Sequence, residues 1–312
     1  MSSYHFEKLT RDNLDDLIYI FKDAFGRSID RAYTEKKQDT SAFGPSFVGY
    51  IAYSEEKEPA AFYGVFPCLA LFNGNKYLVA QSGDTMTHSR HRGKGLFTQL
   101  ALKTYEYCKE SGVHLVFGFP NENSYPGFIK NLHWQHFDDF QAYLVRVKTI
   151  PWIRVKRLLG LSSALHVAWC RFVLKFVKTG IPFQNSVIQN EIGGVDRSKD
   201  FYEYKKYEEH FLVAISGVNV WLKVSDEYLM IGDIEQCDEN KFGSVISGLK
   251  KLSFWMCLPH LRYHCSTGAF HEGNFKKYGI LHNISYPIGG VNFTNTLSLN
   301  QLKFTMADND GF

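Results

Sequence analysis

Two long apolar segments joined by a tight turn constrain this chain more than any other part of its sequence. Residues 60–72 and 77–87 are strand-like runs, and Asn73-Gly74-Asn75 lies between them. Asn-Gly between two such runs is the strongest local signal for a β-hairpin. The second run leads into the glycine-rich stretch Arg90-His-Arg-Gly-Lys-Gly95 and then into a helical pattern that Gly112 ends. The sequence therefore predicts a hairpin followed by a tight turn and a helix.

The elements on either side of this hairpin predict one α/β domain over residues 4–148. A short strand, an amphipathic helix and another strand precede it, as judged from apolar spacing. Residues 113–119 are apolar enough to form a strand buried on both faces. A short helix beginning near Pro126 and a last strand pair to about Val147 complete the order.

The second half repeats this order in a reduced form. Residues 218–224 and 228–234 predict a hairpin, and a helix with an apolar face follows at 242–252. Residues 261–265 predict a strand and 271–277 a short helix, but no glycine turn separates the hairpin from its helix. We therefore predict three segments: a first domain at 1–148, a basic helical connector at 149–200 and a degenerate second lobe at 201–312.

Composition excludes some classes of protein. Lys plus Arg (35) and Asp plus Glu (32) leave a net charge of only +3, so nothing global indicates a nucleic-acid partner. No segment reaches the ~20 apolar residues that span a bilayer. The six cysteines are scattered without a CxxC pair, which is typical of core residues in a reducing compartment. We expect a cytoplasmic protein.

The glycine-rich stretch is the part of the sequence that predicts binding. A strand that ends in a glycine turn before a helix exposes consecutive main-chain N–H groups at the helix N-terminus, and such groups bind anions. Arg92 and Lys94 add positive charge. Neither the Walker pattern GxxxxGK[ST] nor the Rossmann pattern GxGxxG is present. The alternative is a turn that joins two elements and binds nothing.

At these residues the chain resembles the GNAT acyltransferase superfamily. Its pyrophosphate signature is [QR]xxGx[GA], which follows a strand ending much like DVAVHPEYRGKG. Residues 84–95, Asp-Thr-Met-Thr-His-Ser-Arg-His-Arg-Gly-Lys-Gly, follow that phrase position by position, with Phe97 where Gly or Ala is usual. The resemblance implies a mixed, mostly antiparallel sheet flanked by helices, with acetyl-CoA as the acyl donor. The reduced second half is similar to the tandem members, whose second repeat has lost cofactor binding.

The resemblance also implies which residues form the site. The amides of Met86 and Thr87 are expected to bind the pantetheine arm and polarise the thioester carbonyl. Asn121 and Asn123 lie where the family commonly contacts the pantetheine. The pyrophosphate is expected to lie on Arg92, Gly93, Lys94, Gly95, Leu96, Phe97 and Thr98.

The catalytic residues depart from the family pattern. Many members carry a tyrosine acid in a phrase such as YxKxGF, but residues 129–134 here read Ile-Lys-Asn-Leu-His-Trp. Tyr125 is the nearest substitute and is our candidate for the acid that protonates the departing thiolate. Glu122 and Asp84 are the candidate bases.

The histidines near the turn do not predict a metal centre. His88 and His91 flank it, yet no third ligand has metal spacing, and His133 and His136 are similarly isolated. We expect no metal.

A basic segment remains to be explained. Residues 148–178 contain seven Lys and Arg and no acid, and Leu165, Trp169, Phe172 and Phe176 form one helical stripe. The first interpretation is a helix whose apolar stripe is buried against a lobe. The second is an amphipathic helix on an anionic membrane, which would give a peripheral membrane contact through residues 150–178.

These features together predict an acyl-CoA-dependent N-acyltransferase. The acceptor is expected to be a small primary amine such as an amino sugar. A non-catalytic CoA-binding module is the alternative, since Ile129 replaces the usual tyrosine. A membrane-surface acyltransferase acting on an envelope precursor is a further alternative. The sequence does not determine the oligomeric state.

Overall fold

Strands and helices follow one another along the chain in two successive series. The strands are β1 (His5–Lys8), β2 (Gly49–Tyr53), β3 (Pro59–Phe72), β4 (Asn75–Thr87), β5 (Leu115–Gly118), β6 (Gln135–Arg146), β7 (Gly194–Val195), β8 (Phe211–Ile215), β9 (Val218–Val224), β10 (Tyr228–Ile234), β11 (His260–Ser266) and β12 (Ile280–Asn292). The helices are α1 (Leu14–Phe25), α2 (Arg31–Gln38), α3 (Leu96–Glu110), α4 (Tyr125–Leu132), α5 (Trp152–Leu159), α6 (Ser163–Leu174), α7 (Lys199–Tyr204), α8 (Glu239–Trp255) and α9 (Glu272–Tyr278).

The predicted hairpin forms in the computed structural model, which describes residues 3–160, 162–225, 227–294 and 296–312. Strands β3 and β4 pair antiparallel over nearly their full length. Asn73 and Gly74 make the turn with φ angles of 47° and 76°. Both values lie in the left-handed region that a two-residue hairpin turn requires, which is why Asn-Gly is favoured there.

The chain folds into two compact units. The first contains the chain up to Asp138, with residues 203–207 and 287–301. Its strands are ordered β1-β2-β3-β4-β5-β12. All of the recorded pairings are antiparallel except that of β4 with β5, which is parallel because α3 connects those two strands.

Helices cover both faces of the first unit's sheet. On one face, α1 buries Leu14, Leu17 and Ile20 in a cluster that includes Met86. On the other face, α3 and α4 pack against the strands through a larger apolar cluster. The unit therefore has three layers, and the α/β domain that the sequence predicts is confirmed.

The second unit repeats the same connectivity. Its strands are ordered β6-β11-β10-β9-β8, and β10 pairs parallel with β11 through the crossover helix α8. The first unit makes the corresponding strand–helix–strand step from β4 through α3 to β5. The duplicated, mostly antiparallel fold expected from the sequence is thus present.

The units do not follow the three contiguous segments that we predicted. Residues 139–202 belong to the second unit, where Cys170, Leu174 and Val187 join its main apolar cluster, so 149–200 is not a separate connector. Residues 287–301 belong to the first unit because the end of β12 pairs with β5. Both differences arise from strand and helix packing over long sequence separations, which periodicity does not report.

The first of the two interpretations of the α6 stripe, burial against a lobe, is wrong. The buried side chains of α6 are His166, Cys170 and Leu174. The predicted stripe lies beside them and is exposed at Leu165, Trp169, Phe172 and Phe176. His166 is buried because its ring bonds the carbonyl oxygen of Met256 at 2.7 Å.

No helix in the described part of the chain is long and apolar enough to cross a membrane.

Prediction for His264. His264 lies buried in β11, where the Arg262 guanidinium donates to its Nε2 at 2.6 Å. Burial, with the charge of Arg262, lowers the pKa of His264 to about 3. As pH falls from 6.5 towards 3, His264 becomes protonated in the unfolded chain but stays neutral in the folded protein. This histidine therefore lowers the free energy of unfolding by up to about 1.4 kcal/mol per pH unit in that window.

Urea unfolding at a series of pH values measures this slope. We expect His264→Gln to flatten it between pH 6.5 and 4, and His5→Gln, at an exposed position, to leave it unchanged. An unaltered slope in His264→Gln would contradict the prediction.

Candidate functional site

Strands β4 and β5 lie side by side for only a short distance. Their recorded parallel register consists of Ala80 with Val116 and Gln81 with Phe117. β4 then continues to Thr87, whereas β5 ends at Gly118. The two strands therefore part at their carboxyl ends, which is where parallel strands of α/β proteins bind ligands.

A bulge in β4 decides which main-chain groups face this gap. The register with β3 shifts between Phe62 and Gly64, and Asp84 has a φ of 50°. Beyond the bulge, Met86 pairs with Phe62, and the N–H of His88 bonds the carbonyl of Ala60 at 2.9 Å.

Main-chain groups in a strand alternate in direction. Because the N–H of His88 points towards β3, that of Met86 does as well, while the amides of Thr85 and Thr87 point away from it. The sequence resemblance predicts that the amides of Met86 and Thr87 bind the pantetheine arm. The geometry favours Thr85 and Thr87 instead, because the alternation is set by a bulge that the sequence does not reveal.

The turn after β4 presents an open helix N-terminus. Gly93 and Gly95 have φ angles of 75° and 73°, and Gly95 caps α3 without a side-chain hydrogen bond. A Cβ added at Gly93 would meet nothing within 4 Å. The first recorded main-chain donor of this helix within the described residues is Gln99, which bonds Gly95.

The first-turn amides of α3 consequently have no partner within the helix. Residues 92–95 are exposed, and Arg92 and Lys94 provide two positive charges. This arrangement fits a diphosphate, because uncompensated N–H groups, the helix dipole and both side chains act in the same direction.

Phe97, which departs from the family signature, does not obstruct the turn. Its ring packs edge-to-face against Phe128 of α4, with ring centroids 5.1 Å apart. A Cβ at Gly127 would lie 3.3 Å from the Phe97 ring, so glycine at that position makes room for it. The amide of Phe97 remains in the first turn of α3 while its side chain joins the core.

The segment before the turn is anchored to α1. Asp23 accepts hydrogen bonds from the main-chain N–H of Ser89 at 2.6 Å and from the Ser89 hydroxyl at 3.0 Å. The main-chain bond from Ser89 lowers the pKa of Asp23. The carboxylate therefore stays ionised at neutral pH and holds the turn against the helix.

The two histidines of this segment are also anchored. His91 bonds the hydroxyl of Tyr4 at 2.9 Å through Nδ1, and its Nε2 lies 3.4 Å from Glu58. His88 accepts at Nδ1 from the N–H of Arg90 at 3.3 Å. The chain just before the glycine turn is thus held by Tyr4, which precedes β1, and by Glu58, which precedes β3.

Glu58 is a third potential metal ligand that the sequence spacing did not reveal. Ligand atoms of Glu58, His88 and His91 all lie within 4.8 Å of one another. Arg90, however, forms an ion pair with Glu58, and its positive charge opposes a cation there. The His88 Nε2 lies 3.5 Å from an oxygen of Asp23, a carboxylate outside this cluster.

Candidate catalytic residues follow β5. Tyr125 is the first residue of α4, is half-buried and contacts the ring of His136 with centroids 6.1 Å apart. Glu122 is exposed in the turn that precedes α4. Because β4 and β5 are parallel, this turn and the end of β4 lie at the same edge of the sheet.

The two asparagines of this turn differ in their surroundings. The side-chain oxygen of Asn121 accepts from the N–H groups of Asn123 and Ser124, both at 3.0 Å. This oxygen shapes the turn. The Asn123 side chain is exposed.

Asp84 has a different environment from the one that a free base requires. Its carboxylate pairs with Lys37 at 2.8 Å and accepts from the Gln38 amide at 3.2 Å. The Lys37 side chain is only 8% exposed. A carboxylate bound to a buried ammonium group is a poor proton acceptor, so Asp84 fits the role of holding the bulge.

A chain of buried hydrogen bonds, which the sequence did not indicate, ends at the gap between β4 and β5. The Trp134 indole donates to Tyr105 at 2.8 Å, and the Tyr105 and Tyr63 hydroxyls lie 2.8 Å apart. Tyr63 also lies 2.9 Å from the hydroxyl of Ser82, the first β4 residue beyond the parallel register. Burial raises the pKa of Tyr63 well above its ordinary value, so this chain stays neutral.

In the described residues of the second unit, a side-chain cap occupies the helix N-terminus that corresponds to the glycine turn. At the matching position, the Asp238 side chain caps α8 by accepting from the N–H of Lys241 at 2.9 Å. Glu239 follows in the first turn. A carboxylate occupies the helix N-terminus here, so an anionic ligand would be repelled.

Comparisons with known proteins find similar sequences and similar folds. A family model described as an acetyltransferase (GNAT) domain matches residues 5–137. An uncharacterized N-acetyltransferase of Methanocaldococcus jannaschii is 26% identical over 158 residues, covering 48% of this chain and 69% of that protein.

Two solved structures share the fold over most of this chain. A protein of unknown function from Enterococcus faecalis, named as a probable N-acyltransferase, has a TM-score of 0.62 and 13% identity, covering 93% of this chain and 73% of its own. Saccharomyces cerevisiae N-myristoyltransferase with bound myristoyl-CoA has a TM-score of 0.56 and 10% identity, covering 94% and 83%. The family match spans the strand, turn and helix described above, so this part of the chain is similar to the acetyltransferase (GNAT) domain.

Proposed function

We propose that this protein is an acyltransferase of the GNAT superfamily, which transfers an acetyl group from acetyl-CoA to a small primary amine such as an amino sugar. The observation that carries the proposal is the uncapped N-terminus of α3 behind Gly93 and Gly95. The roles of the other site residues follow from their positions relative to this helix N-terminus.

The donor is bound in two parts. The pyrophosphate lies on the turn and the first helical amides, that is, on Arg92, Gly93, Lys94, Gly95, Leu96, Phe97 and Thr98. The pantetheine arm enters the gap between β4 and β5 and meets the outward amides of Thr85 and Thr87. Asn121 and Asn123 border that gap from the turn after β5, and an exposed Asn123 is free to contact the arm.

Main-chain donors at the end of β4 stabilise the charge that develops on the thioester oxygen. The Thr87 amide is fixed by the β3–β4 pairing on one side and by the anchored Ser89 segment on the other. A donor that is held in place before the reaction costs no reorganisation when the charge forms.

Proton transfer involves Tyr125 and Glu122. An alkyl amine with a pKa of about 10.4 is neutral in only about one molecule in 2,500 at pH 7, so a base must assist the attack. Glu122 is exposed and can accept this proton through water. Tyr125 donates to the departing thiolate. Asp84, bound to Lys37, keeps the bulge in place.

A CoA-binding module without catalysis is the competing function. Ile129, which replaces the usual tyrosine, is partly buried against the α3 cluster and cannot donate a proton. Binding of CoA without turnover on any amine would favour this module.

Prediction for Gly93. Gly93, in the turn before α3, and Gly112, just after α3, have φ angles of 75° and 78°, and a Cβ at either position would meet nothing within 4 Å. Gly93→Ala and Gly112→Ala therefore introduce the same backbone strain at opposite ends of one helix. Each alanine destabilises the fold by roughly 1–2 kcal/mol, because a left-handed residue with a Cβ is strained. We expect only Gly93→Ala to weaken CoA binding, by at least tenfold.

Calorimetric titration with CoA, together with thermal unfolding of both variants, makes this comparison. Equal CoA affinity in the two variants would contradict the proposal that the glycine turn binds CoA.

Prediction for Tyr125. Tyr125→Phe removes the proposed acid and is expected to lower kcat at least tenfold while the affinity for CoA stays unchanged. The assay measures CoA thiol release over a panel of amines that includes amino sugars. Tyr77→Phe, at the start of β4 and far along the strand from the gap, is the control and should retain parental kcat. A Tyr125→Phe enzyme with parental kcat would exclude this residue as the acid.

A further inference from the structure

We propose that five exposed aromatic side chains of the second unit form a docking surface for an anionic lipid bilayer. These residues, named here the aromatic patch, are Trp169, Phe172, Phe176, Phe254 and Trp255. The proposal concerns a surface outside the acyl-CoA site and does not depend on the reaction.

The exposure of these side chains is unusual for a globular surface. Their exposed fractions lie between 43% and 76%. Of the sixteen large hydrophobic side chains exposed in the described part of the chain, ten lie within residues 150–181 and 254–255. Scattered exposed hydrophobics need no explanation, but a concentration of this kind indicates an interaction surface.

Contacts within the second unit join the patch into one surface. The Trp169 indole donates to the main-chain oxygen of Trp255 at 2.7 Å, which connects α6 to the end of α8. The Phe172 ring lies 5.7 Å from that of Trp169 and 5.1 Å from that of Phe176. Phe254 and Trp255 have ring centroids 5.5 Å apart.

The patch is fixed by residues that the unit buries beneath it. His166, Cys170 and Leu174 on the inner face of α6 are buried, and His166 bonds the carbonyl of Met256. The aromatic side chains are therefore held outwards by a packed helix. They need not refold to meet a partner.

The charge around the patch identifies the partner. Residues 140–190 contain eight Lys and Arg and no acid, and residues 240–271 contain four and no acid. Arg171 pairs with Glu209 at 2.6 Å. In the described chain, no ion-pair partner is recorded for Lys148, Arg154, Arg157, Lys175, Lys178, Lys250 or Lys251.

Aromatic rings beside unpaired basic side chains match the two layers of a bilayer surface. Trp and Phe insert at the level of the headgroups and upper acyl chains, while Lys and Arg contact anionic headgroups. A second copy of this chain fits less well. A symmetric dimer places the same patch on both sides of the interface, which would bring the two acid-free basic regions together.

Sedimentation of the full chain with lipid vesicles tests the proposal. We expect binding to vesicles of phosphatidylcholine and phosphatidylglycerol (about 7:3) to be at least tenfold stronger than binding to phosphatidylcholine alone. We also expect it to weaken at high salt.

Matched variants separate the patch from general hydrophobicity. Phe172→Ser with Phe176→Ser should reduce binding to the anionic vesicles at least tenfold. Phe25→Ser with Leu102→Ser, at comparably exposed positions of the first unit, should bind as the parent does. Thermal unfolding confirms that each variant is folded.

Two double charge-reversal variants test the basic side chains in the same way. Lys175→Glu with Lys178→Glu should lower anionic-vesicle binding strongly, and Lys22→Glu with Lys36→Glu should lower it little.

Three results would overturn the proposal: equal partition onto neutral and anionic vesicles, no binding to either, or unchanged binding in the Phe172 and Phe176 variant. A concentration-dependent dimer that this variant dissociates, observed by sedimentation equilibrium, would assign the patch to self-association instead.

Discussion

Main-chain N–H groups without a partner inside the helix, at the N-terminus of α3, are the feature on which the proposed acyl-CoA site depends. A helix leaves its first amides unsatisfied, and most helices satisfy them with a side-chain cap. Here Gly95 occupies the cap position and offers no side chain. The helix N-terminus can accept a ligand because no capping side chain occupies it.

The surrounding residues keep this arrangement from collapsing. Asp23 binds the segment just before the turn through Ser89, and His91 binds Tyr4 and Glu58. Burial acts to raise the pKa of Glu58, but hydrogen bonds from Tyr19 and His91 and the charge of Arg90 outweigh it and keep that pKa low. The Asp23 and Glu58 carboxylates that anchor the turn are therefore charged at neutral pH. The second unit shows the contrast, because Asp238 caps its equivalent helix and closes the site.

Local features of this protein could be predicted from the sequence, and long-range contacts could not. The hairpin at Asn73-Gly74 and the turn at Gly93 and Gly95 depend on residues that are adjacent in the chain, so their conformations follow from residue type. Glu58 lies more than 30 positions from His91, and Lys37 lies 47 positions from Asp84. No spacing rule connects such pairs.

The apolar stripe of α6 illustrates a second limit. Periodicity identified a helix with an apolar face but could not show which face the fold buries, because His166, Cys170 and Leu174 lie at the same helical spacing as the stripe. Periodicity finds a helix, and packing decides its orientation. The same limit applies to β4, where the bulge at Asp84 changes which amides face outwards.

Amide hydrogen exchange, followed by mass spectrometry with and without CoA, tests the central claim directly. The account predicts that CoA protects peptides covering residues 85–98, while peptides covering 235–241 of the second unit exchange at unchanged rates. Protection that is absent from 85–98, or that appears at 235–241 instead, would contradict the assignment of the glycine turn as the diphosphate site.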